Sequence, residues 1–169
     1  MSLALTKTAK IIVLNGTSSS GKTTLASALQ AKSSEVYLHC SLDAFWDMTL
    51  GNVPAGSKNF PNMKLAIAKS VKALVETGHN VIVDIVFCGE KTYLEFNREL
   101  AQLNVKFVKV DCSLDELIKR ELARGNRAIG LAQSQFDSIH QGVKYDMVVN
   151  TNDNSPEQCA QDIISCFCL

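Results

Sequence analysis

The chain has 169 residues, 46% of them apolar, which is enough for one domain with a substantial core. Lys plus Arg and Asp plus Glu both total 17, so the formal net charge is zero, which argues against a large nucleic-acid-binding surface. No apolar run has the length needed to cross a bilayer, so we expect neither a nucleic-acid partner nor a membrane segment.

Short apolar runs alternate with segments of helical period along the chain. The runs that we predict to be strands are residues 10–15, 36–40, 81–87, 105–110 and 146–150. The helices between them are predicted to begin near residues 21, 44, 63, 93, 114, 131 and 156, and the helix from 131 is expected to reach 140. This alternation predicts an α/β fold with a parallel sheet and helices on both faces. In such sheets ligands bind beyond the carboxyl ends of the strands.

The segment after the first predicted strand has the pattern of a phosphate-binding loop, G-x-x-x-x-G-K-[ST]. Its residues are Gly16, Thr17, Ser18, Ser19, Ser20, Gly21, Lys22, Thr23 and Thr24. A helix that begins near Gly21 exposes unpaired N–H groups and the positive end of its dipole, and glycines let phosphate oxygens come close. We therefore predict nucleoside triphosphate binding, with Lys22 at the β- and γ-phosphates and Thr23 at Mg²⁺. A turn of small residues that binds nothing is the alternative. The predicted strand before this segment and the predicted helix after it make that alternative less favourable.

Two aspartates follow or end predicted strands and are candidates for the chemistry. A carboxylate in an apolar strand is costly unless it is paired or near a metal, so we expect Asp84 to hold Mg²⁺ with Thr23. The alternative for Asp84 is a carboxylate that backbone N–H groups satisfy. Asp43 can orient an acceptor hydroxyl and take its proton, or it can cap the helix predicted at 44–48, and both roles are compatible.

Three arginines cluster where a predicted helix ends, in the pattern R-x-x-x-R-G-N-R. They are Arg120, Arg124 and Arg127. Guanidinium groups can stabilise the charge that spreads over a transferring phosphoryl group. We predict that Arg124 and Arg127 belong to a short lid, residues about 124–130. The alternative is a solvated basic helix end, which the helix dipole also favours.

The cysteines and histidines show no metal-binding or catalytic spacing. Six cysteines form no C-x-x-C pair, and no His pair accompanies them at zinc spacing. Three of them lie in or next to predicted strands and are predicted to be core residues: Cys40, Cys88 and Cys112. This usage indicates a reducing, cytoplasmic setting. The histidines are predicted to be structural or surface residues: His39, His79 and His140.

Taken together, these motifs resemble those of chloramphenicol phosphotransferases, a family of small phosphate-loop kinases. Beyond the phosphate loop, the resemblance is carried by residues 83–87, by R-G-N-R at 124–127 and by H-x-G-V-x-Y-D at 140–146. It implies a P-loop NTPase fold with a five-stranded parallel sheet, nucleoside-kinase-like with a short arginine lid. It also implies ATP and Mg²⁺ as cofactors and phosphate transfer to a hydroxyl of a small molecule.

The resemblance also assigns roles to single residues. Asp43 falls on the catalytic Asp of the family, and Lys22 falls on its phosphate-loop lysine. Arg124 and Arg127 fall on the lid arginines. The region around Asn150, Thr151 and Asn152 would border the adenine. We also expect Arg120 at the nucleotide.

Two departures from the family pattern leave the acceptor open. Ile85 stands where the family has a second acid, and the interval from Asp43 to Asp84 is shorter than expected. That interval includes much of the acceptor-site region, residues about 43–62. Chloramphenicol is one acceptor to consider, and a nucleoside, nucleotide or sugar-nucleotide kinase is an alternative. A regulator that binds nucleotide and phosphorylates nothing is another. We predict one kinase domain over 1–169, with the oligomeric state, a homo-oligomer included, left open.

Overall fold

A parallel sheet of five strands lies at the centre of the described residues, which are 9–50, 59–124 and 130–169 of a computed structural model. The strands are β1 (Lys10–Asn15), β2 (Tyr37–Ser41), β3 (Asn80–Ile85), β4 (Asn104–Asp111) and β5 (Met147–Asn150). Their order across the sheet is β2-β3-β1-β4-β5, and every neighbouring pair is parallel. The predicted parallel α/β sheet is confirmed, and the strand ends shift by at most two residues.

Helices connect the strands and cover both faces of the sheet. They are α1 (Lys22–Lys32), α2 (Leu42–Asp47), α3 (Asn59–Glu76), α4 (Glu90–Glu99), α5 (Leu114–Arg124), α6 (Leu131–Phe136) and α7 (Pro156–Phe167). The start of α7 follows the prediction, because Pro156 is its first residue and Ser155 Oγ accepts a hydrogen bond from Gln158 N. None of the described helices combines the length and the apolarity that crossing a membrane requires.

Alternate residues of β1 point to opposite faces of the sheet, and each face has its own hydrophobic core. Ile11 and Val13 belong to the core that α3 and α4 cover. Ile12 and Leu14 belong to the core that α1 and α7 cover. Because both faces are covered, β1 is buried from its second residue to its last, which explains its continuous apolar run.

The helix predicted at 131–140 is shorter in the structure. The helix α6 ends at Phe136, and the chain continues in turns whose hydrogen bonds reach back three residues, from Gln141 N to Ser138 O and from Val143 N to His140 O. Gly142 lies in these turns with a φ of +71°. A Cβ at this position would also lie 2.6 Å from the Glu90 side chain, so only glycine allows α4 to come this close.

The register of the strands brings the candidate residues to one edge of the sheet. Asp84, the fifth residue of β3, lies opposite Leu14 of β1 and Ser41 of β2. The phosphate-binding loop follows β1 at this same carboxyl edge, and Asp43 follows β2. Parallel strands end together, so residues far apart in sequence become neighbours here.

Candidate active site

The phosphate-binding loop leaves β1 and enters α1 through a backbone shape that requires glycine. Gly21 has a φ of +87°, in the left-handed region that glycine adopts without strain. At Gly16 the requirement is one of space, because a Cβ there would lie 2.6 Å from Ser20 Oγ and 2.6 Å from Val110 O. Both glycines of the motif are therefore needed to form the loop.

This loop carries several buried polar side chains. Lys22 is 7% exposed, and its ammonium donates a hydrogen bond to Thr17 O at 2.8 Å. Three neighbouring hydroxyl oxygens are buried without a hydrogen bond in the described part of the chain: those of Ser18, Ser19 and Ser20. Buried hydroxyls without partners are costly, and phosphate oxygens can accept from them. These residues fit the triphosphate tail of a nucleotide.

Asp84 meets the first turn of α1 directly. Thr23 Oγ1 donates a hydrogen bond of 2.6 Å to Asp84 Oδ2, and Asp84 is 7% exposed. A hydroxyl and a carboxylate side by side are oxygen ligands of the kind that Mg²⁺ takes, with phosphate oxygens and waters as the others. The described residues hold no group of three His, Cys, Asp or Glu side chains that could bind a metal.

His39 lies beside the same carboxylate. Its Nε2 is 3.9 Å from Asp84 Oδ2, and this nitrogen is buried. The sequence suggested only a structural or surface role for His39. The signal that could have been used is that His39 and Asp84 lie near the ends of two predicted strands.

Asp43 lies in the first turn of α2, one residue beyond the start of the helix. The cap of this helix is Ser41, whose Oγ accepts a hydrogen bond from Ala44 N at 3.1 Å. The proposed capping role of Asp43 was therefore wrong, because the helix begins earlier than the pattern indicated. Asp43 lines the main cleft, as do Trp46 and Asp47 from the same helix.

The cleft has a volume of about 1480 Å³ and collects most of the predicted site residues. Those that line it are Ser18, Ser19, Gly21, Lys22, Thr23, Thr24, Asp43, Asp84, Arg120, Arg124 and Asn152. Gly16, Thr17 and Ser20 are buried in the wall of the loop instead. The cleft therefore joins the phosphate loop to Asp43 and Trp46 of α2 in one continuous space.

Arg120 forms part of the wall beside the phosphate loop. Its guanidinium donates from Nε to Glu116 Oε1 at 3.0 Å and from Nη2 to Thr151 O at 2.7 Å. A Cβ on Gly21 would be 3.7 Å from its Nη1. Thr151, which belongs to the region that the sequence predicts to border the adenine, also donates from Oγ1 to Ser20 O at 2.8 Å and so ties the segment after β5 to the phosphate loop.

Asn152 directly follows Thr151 and lines the cleft. Its Oδ1 accepts a hydrogen bond from Ser113 Oγ at 2.7 Å, which links the segment after β5 to the start of α5. Ser113 Oγ also accepts a hydrogen bond from Glu116 N, as the side chain of a residue that caps a helix does.

The predicted lid is described only at its two ends. Arg124 is the last residue of α5, is exposed and lines the cleft. Arg127 and the rest of 125–129 lie outside the described residues. The far end is anchored by Glu121, which is 2% exposed and accepts hydrogen bonds from Gly130 N at 2.8 Å and Ala132 N at 2.9 Å. Sequence reasoning missed Glu121, since it looks like an ordinary helix acid.

A buried network beneath the phosphate loop explains the H-x-G-V-x-Y-D segment. Asn15 Nδ2 donates to the Tyr145 hydroxyl, and Asn15 Oδ1 accepts from Phe87 N at 2.9 Å. The Tyr145 hydroxyl lies 2.6 Å from His140 Nδ1. Burial is the main cause that lowers the pKa of His140 to about 4, with Lys109 adding to it, and burial raises the pKa of Tyr145 to about 12. The neutral ring therefore accepts the tyrosine proton at Nδ1.

The prediction for the cysteines holds at two positions and fails at one. Cys40 and Cys112 are buried, but Cys88 is exposed and lines the cleft. The reason is that β3 ends at Ile85, so Cys88 lies beyond the covered part of the strand. Its Sγ accepts a hydrogen bond from Lys64 Nζ at 3.0 Å. Burial lowers the pKa of Lys64, which is 2% exposed.

A model of the family described as chloramphenicol phosphotransferase-like proteins matches residues 9–167. The chain belongs to this family. Two Mycobacterium tuberculosis proteins, each described as a candidate O-phosphotransferase, are 28% identical to it over 180 residues, which cover 91% of this chain and 80% of each relative. The predicted resemblance to chloramphenicol phosphotransferases is confirmed.

Solved structures of kinases share the fold of this chloramphenicol phosphotransferase-like protein. The APS kinase CysC from Mycobacterium tuberculosis, in complex with AMPPNP and APS, has a TM-score of 0.78 at 15% identity, with 95% of this chain and 98% of that chain covered. A shikimate kinase from Acinetobacter baumannii, in complex with shikimate, has a TM-score of 0.69 at 16% identity, with 95% and 94% covered. The P-loop kinase fold is confirmed, and family and fold together make the chain a phosphotransferase.

Proposed function

We propose that this phosphotransferase moves the γ-phosphate of ATP, with Mg²⁺, to a hydroxyl group of a small molecule. The observation that carries the proposal is that Lys22, the Thr23–Asp84 pair and Asp43 line one cleft. A nucleotide-binding loop and a separate carboxylate that face the same space are the parts that phosphoryl transfer to an alcohol needs.

The phosphate loop would hold the nucleotide. Its backbone N–H groups, the Lys22 ammonium and the hydroxyls of Ser18 and Ser19, which line the cleft, would bind the β- and γ-phosphates. Lys22 would exchange its bond to Thr17 O for phosphate oxygens, which are stronger acceptors because they are charged. Arg120 and Asn152 would border the base and ribose at the other end of the cleft.

Thr23 and Asp84 would hold Mg²⁺, which supplies charge neutralisation between the β- and γ-phosphates. Asp84 contributes the negative charge, and Thr23 contributes a neutral oxygen from the first turn of α1. The hydrogen bond that joins them keeps both oxygens on the same side of the cleft. The backbone of Asp84 lies in a buried strand in the interior of the sheet, which fixes the point from which its carboxylate reaches the cleft.

Asp43 would orient the acceptor hydroxyl and take its proton as the oxygen attacks phosphorus. The leaving ADP keeps the electron pair of the broken bond between phosphorus and the bridging oxygen. Arg124 and Arg127 would close over the transferring group and stabilise the charge on its oxygens. We therefore treat residues 1–169 as one kinase domain, with a lid at about 124–130 and an acceptor-site region at about 43–62.

We also propose a cytoplasmic setting. The support for it is that the cysteines in this chain are free thiols in the structure: Cys40, Cys88, Cys112, Cys159, Cys166 and Cys168. Unpaired thiols in this number are typical of a reducing compartment.

The first test is incubation of the protein with ATP, Mg²⁺ and a panel of acceptors, followed by mass spectrometry. The panel should contain chloramphenicol, nucleosides and sugar nucleotides, and the expected product is an acceptor that has gained one phosphoryl group. ATP binding without transfer to any acceptor would favour a nucleotide-dependent regulator instead.

Substitution of the two central residues tests their roles. We expect Lys22→Ala to lower kcat by roughly 10² to 10³ because it removes a cation from the transferring phosphates. We expect Asp43→Asn to lower kcat by roughly 10² to 10⁴ with little change in the affinity for ATP. The exposed residues Lys69 and Asp162 offer matched controls, Lys69→Ala and Asp162→Asn. Full transfer activity in Lys22→Ala or Asp43→Asn would remove the role assigned to that residue.

A further inference from the structure

His39 lies next to the carboxylate of Asp84, the proposed metal ligand. The sequence around His39 does not indicate this contact. His39 is the third residue of β2, and it lies opposite Ile82 of β3, whereas Ser41 lies opposite Asp84. His39 is thus two residues before the position that faces Asp84. Side chains two residues apart on a strand share a face, so His39 and Asp84 project to the same side of the sheet.

The ring of His39 points a nitrogen at the carboxylate without bonding to it. Its Nε2 is buried, makes no hydrogen bond within the described ranges and lies 3.9 Å from Asp84 Oδ2. That oxygen already accepts the Thr23 hydroxyl at 2.6 Å. A buried ring nitrogen without a partner costs roughly 1–3 kcal/mol, so its position calls for a functional reason.

We propose that His39 is a positioning residue, which holds the Asp84 carboxylate while Thr23 and Asp84 bind a divalent cation. This inference rests on the proposed function. When Thr23 turns its hydroxyl towards a cation, Asp84 Oδ2 loses its donor. A neutral imidazole can donate from Nε2, and a small shift of the ring closes the gap to hydrogen-bond length.

The same step explains why the nitrogen is free in the structure. While the Thr23 hydroxyl donates to Asp84 Oδ2, this oxygen already has a hydrogen-bond donor, and His39 Nε2 stays at 3.9 Å from it. A carboxylate that ligates a metal is itself normally held by a hydrogen bond from the protein, which fixes its orientation. His39 provides this bond from a neighbouring strand of a rigid sheet, and so it need not touch the nucleotide or the cation.

The test compares variants that keep or lose a donor at this place. His39→Met has a similar length and no N–H, whereas His39→Gln keeps an amide N–H at a similar reach. His39→Asn keeps the amide on a shorter stem, and His79→Gln changes an exposed histidine in a turn as the control. The measurement is Mn²⁺ binding to the protein with ADP, followed by electron paramagnetic resonance and without any acceptor present. Binding of ADP in EDTA and thermal unfolding in EDTA are measured beside it.

We expect His39→Met to weaken Mn²⁺ binding by roughly tenfold or more, the effect typical of losing such a supporting bond. His39→Asn should behave like His39→Met, and His39→Gln should recover part of the loss. His79→Gln should match the wild type, and ADP binding in EDTA should be unchanged in all variants. This ranking of Mn²⁺ affinities distinguishes a hydrogen-bond donor at Nε2 from a residue that only packs. The remaining variants still give an interpretable comparison if one of them proves unstable.

Three results would overturn the inference. One is unchanged Mn²⁺ binding in His39→Met. Another is an equal loss in His39→Met and His39→Gln, and the third is a matching loss of ADP binding in EDTA, because both would indicate general distortion. If the wild type binds Mn²⁺ and ADP but transfers phosphate to nothing, the proposed acceptor chemistry fails while the role of His39 stands. If the wild type binds no Mn²⁺ with ADP, both fail.

Discussion

Arg120 shows how one side chain can join three parts of the cleft wall. Its Nε bonds to Glu116 one turn earlier on α5, and its Nη2 bonds to Thr151 after β5. Its Nη1 donates to Thr151 Oγ1 at 3.3 Å and would lie 3.7 Å from a Cβ added at Gly21 of the phosphate loop. A guanidinium held by a carboxylate and a carbonyl has little freedom left, so Arg120 presents a fixed planar cation on the wall of the cleft.

We expect Arg120→Ala to weaken ATP binding by roughly tenfold, because one charge-assisted contact contributes about 1.5 kcal/mol. Lys119→Ala is a matched control, since Lys119 is the adjacent cation, also pairs with Glu116 and has a side chain that is 77% exposed. Calorimetric titration of both variants with ATP and Mg²⁺ measures the difference. Equal affinities in the two variants would show that Arg120 does not face the nucleotide.

The two helices that flank the predicted lid are joined by Glu121. The helix α6 begins at Leu131 without a side-chain cap of its own, and Gly130 before it has a φ of +90°. Glu121 of α5 instead accepts hydrogen bonds from the backbone of Gly130 and Ala132. The carboxylate thus fixes the start of α6 against the last turns of α5.

We predict that Glu121→Ala destabilises the protein by about 2 to 4 kcal/mol, because two backbone N–H groups near the start of α6 lose their acceptor. Glu121→Gln should cost less, since one carbonyl oxygen remains. Urea unfolding measures both, with Glu95→Ala on the exposed face of α4 as the control. A loss no larger in Glu121→Ala than in Glu95→Ala would contradict the anchoring role.

At the scale of the whole molecule, the network of Asn15, Tyr145 and His140 joins segments that are distant in sequence. It connects the end of β1, from which the phosphate loop departs, to the turns after α6 and, through Phe87 N, to the segment after β3. Asn15 is completely buried, so its amide depends on these partners. The neutral state of His140 is part of this arrangement, because Nδ1 must accept a proton.

The pH dependence of folding should report this network. Burial lowers the pKa of His140 from 6.5 to about 4. Between these values the unfolded chain binds more protons, so stability is fully present above pH 6.5 and falls as the pH drops towards 4. We expect a loss of at most about 2 kcal/mol, because solvent screens a half-buried ring.

Urea unfolding at pH 7 and at pH 4.5 tests this in the wild type and in His140→Gln. The variant should lose this component of the pH dependence, whereas His79→Gln, which changes an exposed histidine, should keep it. An identical pH dependence in the wild type and His140→Gln would place the acid sensitivity elsewhere.

The amino-acid sequence by itself determined the strands, the parallel α/β arrangement and the phosphate loop. These features depend on interactions between residues that are close together in the sequence. Continuous apolar runs such as β1 indicate burial on both faces, and glycines at 16 and 21 with a following lysine indicate a loop that admits phosphate. The position of Asp43 after a strand and the family motifs led to the same cleft, although the role of each residue stays a prediction.

Only the tertiary structure decided which side chains meet. The Thr23–Asp84 bond spans 61 residues, and the bond between Thr151 and Ser20 spans 131. The position of His39 beside Asp84 is also set by the tertiary structure. Parallel strands that are neighbours in a sheet are separated in sequence by a helix, so residues on them are far apart along the chain. Local patterns determine the backbone of each element, but the register between strands and the packing of helices set these distances, and no short stretch of sequence contains that information.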